Sequence, residues 1–168
     1  MKFLKLIILI FLGTTPAFAG DRFDEVIARQ AKIDQFVYDA PLFIKDKSLI
    51  ALRKLDQLKD ERVKKESNPH IPGKIIEYRT LLFEGLKIYG SVHEQKELWP
   101  IQITVTDSRW KILNKLNVGS SVEQIEQVLG KPTKEYSNIK QYCGETECVD
   151  FYIKDAKIIK VELNYYLD

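Results

Sequence analysis

Two histidines and two cysteines are all the imidazole and thiol that 168 residues provide, and that scarcity closes off several chemistries. His70 and His93 do not have the spacing of a paired-histidine metal site, and two thiols are too few for a structural zinc centre. Cys143 and Cys148 are separated by Gly144 to Glu147, whereas a redox pair has two intervening residues. There is no Gly-x-Ser-x-Gly elbow, phosphate loop or dinucleotide glycine pattern. The sequence therefore points to no cofactor, no metal and no catalysis. A hydrolase built from Ser108 or Ser137 with His93 and an aspartate stands as a third reading, because triads are defined by geometry rather than by order in the chain. Excess positive charge is missing too. Lys and Arg total 26 against 24 Asp and Glu, and the surplus is Lys2 and Lys5 at the N-terminus. Without a concentrated basic surface, nucleic acid is not an expected partner. The run Lys59-Asp60-Glu61-Arg62-Val63-Lys64-Lys65-Glu66 mixes signs and reads as a solvated face.

The N-terminus has the three parts of a cleavable export signal. Lys2 and Lys5 supply the positive end, Leu6 to Leu12 the apolar run, and Ala17-Phe18-Ala19 the small-x-small cleavage site. The apolar run is too short for a spanning helix, which needs about 20 residues. No cysteine follows the cleavage site to carry a lipid. Residues 1–19 are thus expected to be removed, leaving residues 20–168 as one periplasmic or secreted domain, soluble and without a membrane anchor. In an oxidising compartment Cys143 and Cys148 can pair across the base of a hairpin loop. A loop this short should gain only about 2 kcal/mol from its closure.

Periodicity divides that domain into a helical part over 20–60 and a sheet-rich part over 74–168. Phe23, Val26, Ile27, Ile33, Phe36 and Val37 form one stripe of a helix over 22–38, with Asp21 as its N-cap. Leu49, Leu52, Leu55 and Leu58 suggest a second helix from Ser48 to about Lys59. Asn68 to Gly73 is a breaker. Strands then follow over 74–83, 86–92 and 101–105. The segment VGSSVEQIEQVLGKPT reads as a capped helix, with Ser120/Glu123 or Ser121/Gln124 as the capping box and Gly130 as its stop. Three more strands run over 139–143, 148–153 and 156–166. In the last two, Val149, Phe151 and Ile153, and Ile159, Val161, Leu163 and Tyr165, are the apolar faces. The expected fold is α+β, an antiparallel sheet with helices packed on one face. A faint repeat links IIEYRTLLFEGLKIYGSV with YCGETECVDFYIKDAKIIKVEL. It suggests two weakly similar α-β halves, although any two hairpins share that much.

From Leu116 on, LNVGSSVEQIEQVLGKPT resembles the signature of the SmpA/OmlA outer-membrane assembly lipoproteins and of the β-lactamase inhibitor proteins that share their fold. The motif residues are Gly119, Leu129, Gly130 and Pro132. The likeness covers the last third of the chain. The lipid-carrying cysteine is absent, and the first two-thirds has no counterpart. The resemblance implies a domain that binds another protein through its sheet and loops and has no chemistry of its own. Strand alternation would place Tyr152, Lys160, Glu162, Asn164 and Tyr166 on the face opposite the core, where the inhibitor proteins carry their contact surface. The leading reading is a non-catalytic protein-binding module, an accessory factor of the cell envelope. The alternative is an inhibitor or immunity protein that neutralises a hydrolase or toxin.

Overall fold

A computed structural model describes residues 18–38, 44–93, 95–111 and 116–165. Helix α1 (Phe18–Tyr38) and a single helical turn α2 (Leu49–Leu52) precede four strands, β1 (Asp60–Ser67), β2 (Ile75–Phe83), β3 (Leu86–Val92) and β4 (Leu98–Val105). Helix α3 (Val122–Leu129) then leads into β5 (Lys134–Tyr136), β6 (Ile139–Cys143), β7 (Glu147–Lys154) and β8 (Lys157–Tyr165). All eight strands form one antiparallel sheet in the order β1-β2-β3-β4-β8-β7-β6-β5. Each run of four is a meander, and the two meet where β4 pairs with β8.

This corrects the α+β expectation, since the molecule is mainly β. The second helix stops after one turn. Ser48 caps it by accepting from the Ala51 N–H at 3.2 Å, and Leu49 and Leu52 enter the core. The charged run that follows, expected to be helix end and solvated surface, is the edge strand β1, docked from Lys59 N–H to Leu82 O at 2.8 Å. Its strand character leaves no trace in hydropathy because nearly every side chain of β1 is exposed on both faces. Alternating charges, lysines included, are also what keeps an exposed edge from pairing with another chain.

One face of the sheet carries the core. Leu81, Ile88, Ile103, Val105, Val149, Phe151, Val161 and Leu163 are all at most 1% exposed. The helices close over them with Ile33 and Val37 from α1, and Ile125 and Leu129 from α3. Only the second half of α1 docks. Val26 and Ile27, expected on the buried stripe, are 61% and 50% exposed, and the side chain of Phe23 lies outside the described residues. Asp21 is not an N-cap, because the helix is already running at Phe18. On α3 the capping box is Ser121 with Gln124, the second of the two frames. The motif residues behave as structural punctuation. Gly119 and Gly130 have φ of 94° and 76°, and Leu129 is buried. The buried Tyr142 hydroxyl donates to Gly130 O at 2.9 Å, and Pro132 follows, partly buried.

Two bulges reset which side chains face inward. In β8, Tyr152 pairs with Lys160 but Ile153 with Ile158, so Ile159 is an extra residue. Alternation is broken there, so Ile158 is buried while Ile159 is 44% exposed, the reverse of the sequence pattern. In β4, Tyr89 pairs with Gln102 but Gly90 with Pro100, so Ile101 is extra and only half-buried. This second bulge presses the Trp99 carbonyl against Gly90, where a Cβ would lie 2.2 Å from that oxygen. Gly90→Ala should therefore cost about 1–3 kcal/mol as an overpacking substitution. An unchanged thermal midpoint would show that the bulge relaxes freely.

Candidate functional site

No helix among the described residues packs over the sheet face opposite the core. It carries polar and aromatic side chains, and a chain of hydrogen bonds crosses its five central strands. Lys87 Nζ donates to Gln102 Oε1 at 3.1 Å, and Gln102 Nε2 to Asn164 Oδ1 at 3.1 Å. Asn164 Nδ2 then donates to Asp150 Oδ2 at 3.3 Å, and from the other side Gln141 Nε2 donates to Asp150 Oδ1 at 2.8 Å. Asp150, acceptor-only when ionised, is the terminus at which both directions end. Its partial burial raises its pKa above the ordinary carboxylate value, the Gln141 hydrogen bond opposes that, and the charge of Glu162 adds to it.

The structure brings three of the expected contact residues together. The Tyr152 hydroxyl donates to Glu162 Oε2 at 2.7 Å, Lys160 Nζ donates to Glu162 Oε1 at 3.1 Å, and the same ammonium lies 3.4 Å from the centre of the Tyr152 ring. Asn164 sits on the same face but belongs to the polar chain. Tyr166 lies outside the described residues. Sequence reasoning missed the larger aromatic group at the other end of the face. Tyr78 and Tyr89 stack at 5.9 Å, and His93 stacks on Trp99 at 4.3 Å. The signal was present, because Tyr78 and Tyr89 fall out of phase with the buried Leu81 and Ile88 on their own strands.

Tyr78, His93 and Trp99 border a groove of ≈ 840 Å³ at the end of the sheet, between the β1–β2 and β3–β4 connections. Both histidines of the chain line it. The triad combinations are not assembled. His93 follows the end of β3, Ser108 lies past the opposite end of the same β3–β4 hairpin, and Ser137 is in the β5–β6 turn at the far edge of the sheet. Among the described residues no group of three or more His, Cys, Asp or Glu side chains is placed to hold a metal ion.

The Cys143–Cys148 disulfide closes the β6–β7 turn, the two residues being cross-strand partners in phase with Gln141, Asp150 and Asn164 on the open face. Helix α1 is seated on that turn. Gln30 Nε2 donates to Cys143 O at 3.1 Å, and Asp34 Oδ1 accepts from the Glu145 N–H at 3.1 Å.

No family model matches the chain, and no curated protein matches it. Among solved structures it is similar to a DUF4309 family protein (YjgB) from Bacillus subtilis, at 14% identity and a TM-score of 0.42 over 82% of this chain and 96% of that one. A likeness that distant carries no argument about what the chain does.

The raised Asp150 pKa gives a pH signature. A carboxyl whose folded pKa lies above its unfolded one favours the fold most when protonated, and that contribution is lost as pH rises through the folded value. The stability of the wild type relative to Asp150→Asn should therefore fall as pH rises from below the ordinary carboxylate value of about 4. Urea midpoints of both proteins across that rise test this. A flat difference would place Asp150 in an ordinary solvated setting, and one that grows with pH would mean that its partners lower its pKa.

Proposed function

We propose that this chain is an exported, non-catalytic protein-binding module of the cell envelope that meets its partner through the open face of the sheet. The observation that carries this reading is the face itself. Five adjacent strands present it, it is free of helices among the described residues, and it bears Tyr78, Tyr89, Trp99 and Tyr152. Tyrosine and tryptophan bury large areas at small entropic cost while keeping a hydrogen-bonding group, and they dominate interface energetics. The polar chain through Gln102, Asn164 and Asp150 holds the backing of that surface in one arrangement.

Export is supported by the N-terminal signal pattern and by the disulfide, which suits an oxidising compartment. Among the described residues no helix is long and apolar enough to cross a membrane. Protein recovered from its native host should begin at Gly20. An intact Met1 on protein recovered from the cytosol would refute export.

The partner is to be sought by pull-down from envelope extract. Capture of an assembly machine supports the accessory role, and capture of one lytic enzyme supports an inhibitor. With that partner in hand, Tyr89→Ala with Tyr152→Ala should lower affinity by about 2 kcal/mol or more, on the scale of an interface hot spot, while circular dichroism shows a folded protein. Full affinity in the folded double variant would remove the open face from the interface.

A further inference from the structure

We propose that the Cys143–Cys148 disulfide is a redox-sensitive latch that holds helix α1 on the sheet, and that its reduction by a dithiol lets the helix lift. The bond closes the β6–β7 turn at the place where α1 touches it. Residues 144–147 are Gly-Glu-Thr-Glu and bring no apolar side chain to the core. Within the turn the Gly144 N–H donates to Glu147 O at 2.7 Å. Two backbone groups of the turn meet the helix, Cys143 O accepting from Gln30 Nε2 and the Glu145 N–H donating to Asp34 Oδ1, both at 3.1 Å. The fit is close, since even a Cβ on Gly144 would lie 2.2 Å from that carboxylate oxygen. Once the covalent bond is cut, a turn that contains glycine regains much backbone freedom. The two groups that α1 binds then lose their fixed places.

The helix itself is held lightly. Residues 24–28 of α1 are exposed, and docking falls to Ile33 and Val37 in the core and to Phe36 against Phe151. The sheet beneath has no such dependence on the turn. Strands β6 and β7 are also paired through Gln141–Asp150 and Tyr142–Val149, and Tyr142, Val149 and Phe151 are buried. Loss of the bond is therefore felt at α1 and not across the sheet. A dithiol cuts the bond by exchange. Cys143 is half-buried whereas Cys148 is 6% exposed, so the attacking thiolate meets Cys143 Sγ. A mixed disulfide forms there, the Cys143–Cys148 bond breaks, and Cys148 leaves as a thiolate that takes a proton from water. The second thiolate of the reductant then displaces Cys143, which is protonated in turn. Two electrons pass from the dithiol, which ends as a disulfide, to the two cysteines, which end as thiols.

The full chain, oxidised and after treatment with dithiothreitol, is to be followed by amide hydrogen exchange, with its thiols counted by alkylation and mass. Two alkylated thiols in the folded protein are expected, with exchange of residues 29–38 faster by about tenfold or more and β2, β3, β4 and β8 unchanged. Cys143→Ser with Cys148→Ser should exchange at α1 like the reduced wild type, whether or not the reductant is present. Gln30→Ala with Asp34→Ala should speed α1 exchange in the oxidised state and leave little further change on reduction. The proposal is overturned if the bond resists dithiothreitol in the folded protein or if α1 is equally protected in both states. It is overturned too if protection is lost across the whole sheet together, since the bond would then be a structural staple. Where a variant does not fold, the wild-type comparison alone decides. No partner enters these measurements, so failure here leaves the protein-binding reading standing, and the reverse holds as well.

Discussion

Residues far apart in the chain become one sheet through a short seam. Strands β4 and β8 pair over only four positions, Gln102–Asn164, Ile103–Leu163, Thr104–Glu162 and Val105–Val161. Every other strand pairing joins neighbours in sequence, which close at small entropic cost; this one joins residues about sixty apart. Its inward pairs, Ile103 with Leu163 and Val105 with Val161, are all at most 1% exposed. Burying four such aliphatic side chains contributes about 1.5–3 kcal/mol each. The outward pair adds the Gln102–Asn164 hydrogen bond. Without this seam the sheet would be two four-stranded meanders, each with a free edge at a strand with buried side chains. The core under the helices and the continuous face above both depend on it.

The two bulges lie on the two strands of that seam, beyond its four pairs. A bulge shifts the alternation by one residue and increases local twist. In β4 it allows Trp99 to reach the open face while Leu98 and Ile103 both remain buried, a pattern no regular strand could produce. Gly90 is the complement of that arrangement, since any side chain there would meet the Trp99 carbonyl. The aromatic end of the face therefore follows from one extra residue, Ile101, and one absent side chain.

How far the sequence foretold this follows the strength of burial at each element. Strands with one buried face, such as β7 with Val149 and Phe151, were legible because their period of two is a burial signal. The capped helix ending at Gly130 was legible because caps are local chemistry, written in adjacent residues. The edge strand β1 was not, because neither of its faces is buried and it is held to β2 by backbone hydrogen bonds and by the Lys65–Glu77 and Arg79–Glu61 ion pairs. The inward place of Ile158 was likewise hidden, as a bulge is decided by the partner strand. Of the candidate site, Tyr152, Lys160 and Glu162 were found by alternation. Their joining into one hydrogen-bonded group, and the gathering of Tyr78, His93 and Trp99 from three strands, depend on register, which a single sequence does not display.

The β6–β7 turn touches both sides of the sheet: the Cys143–Cys148 disulfide is in phase with Gln141, Asp150 and Asn164 on the open face, while the backbone of the turn meets α1. Closing the β6–β7 turn presents Cys143 O and the Glu145 N–H to α1, which answers with Gln30 and Asp34. A Cβ at Gly144 would lie 2.2 Å from Asp34 Oδ1, so any side chain there would push that carboxylate off the Glu145 N–H. The helix is fixed further by Phe36 against Phe151 at 6.3 Å and by Ile33 and Val37 in the core. Among the described residues the sheet receives its helical cover from one side, held by apolar burial and by these hydrogen bonds to the turn. The side chains of the other face are stabilised by one another, through the Asp150 chain and the stacked rings, and need no covering layer to stay ordered. A surface ordered in advance gives up little conformational freedom on binding, and that is the physical sense in which this fold is suited to recognition.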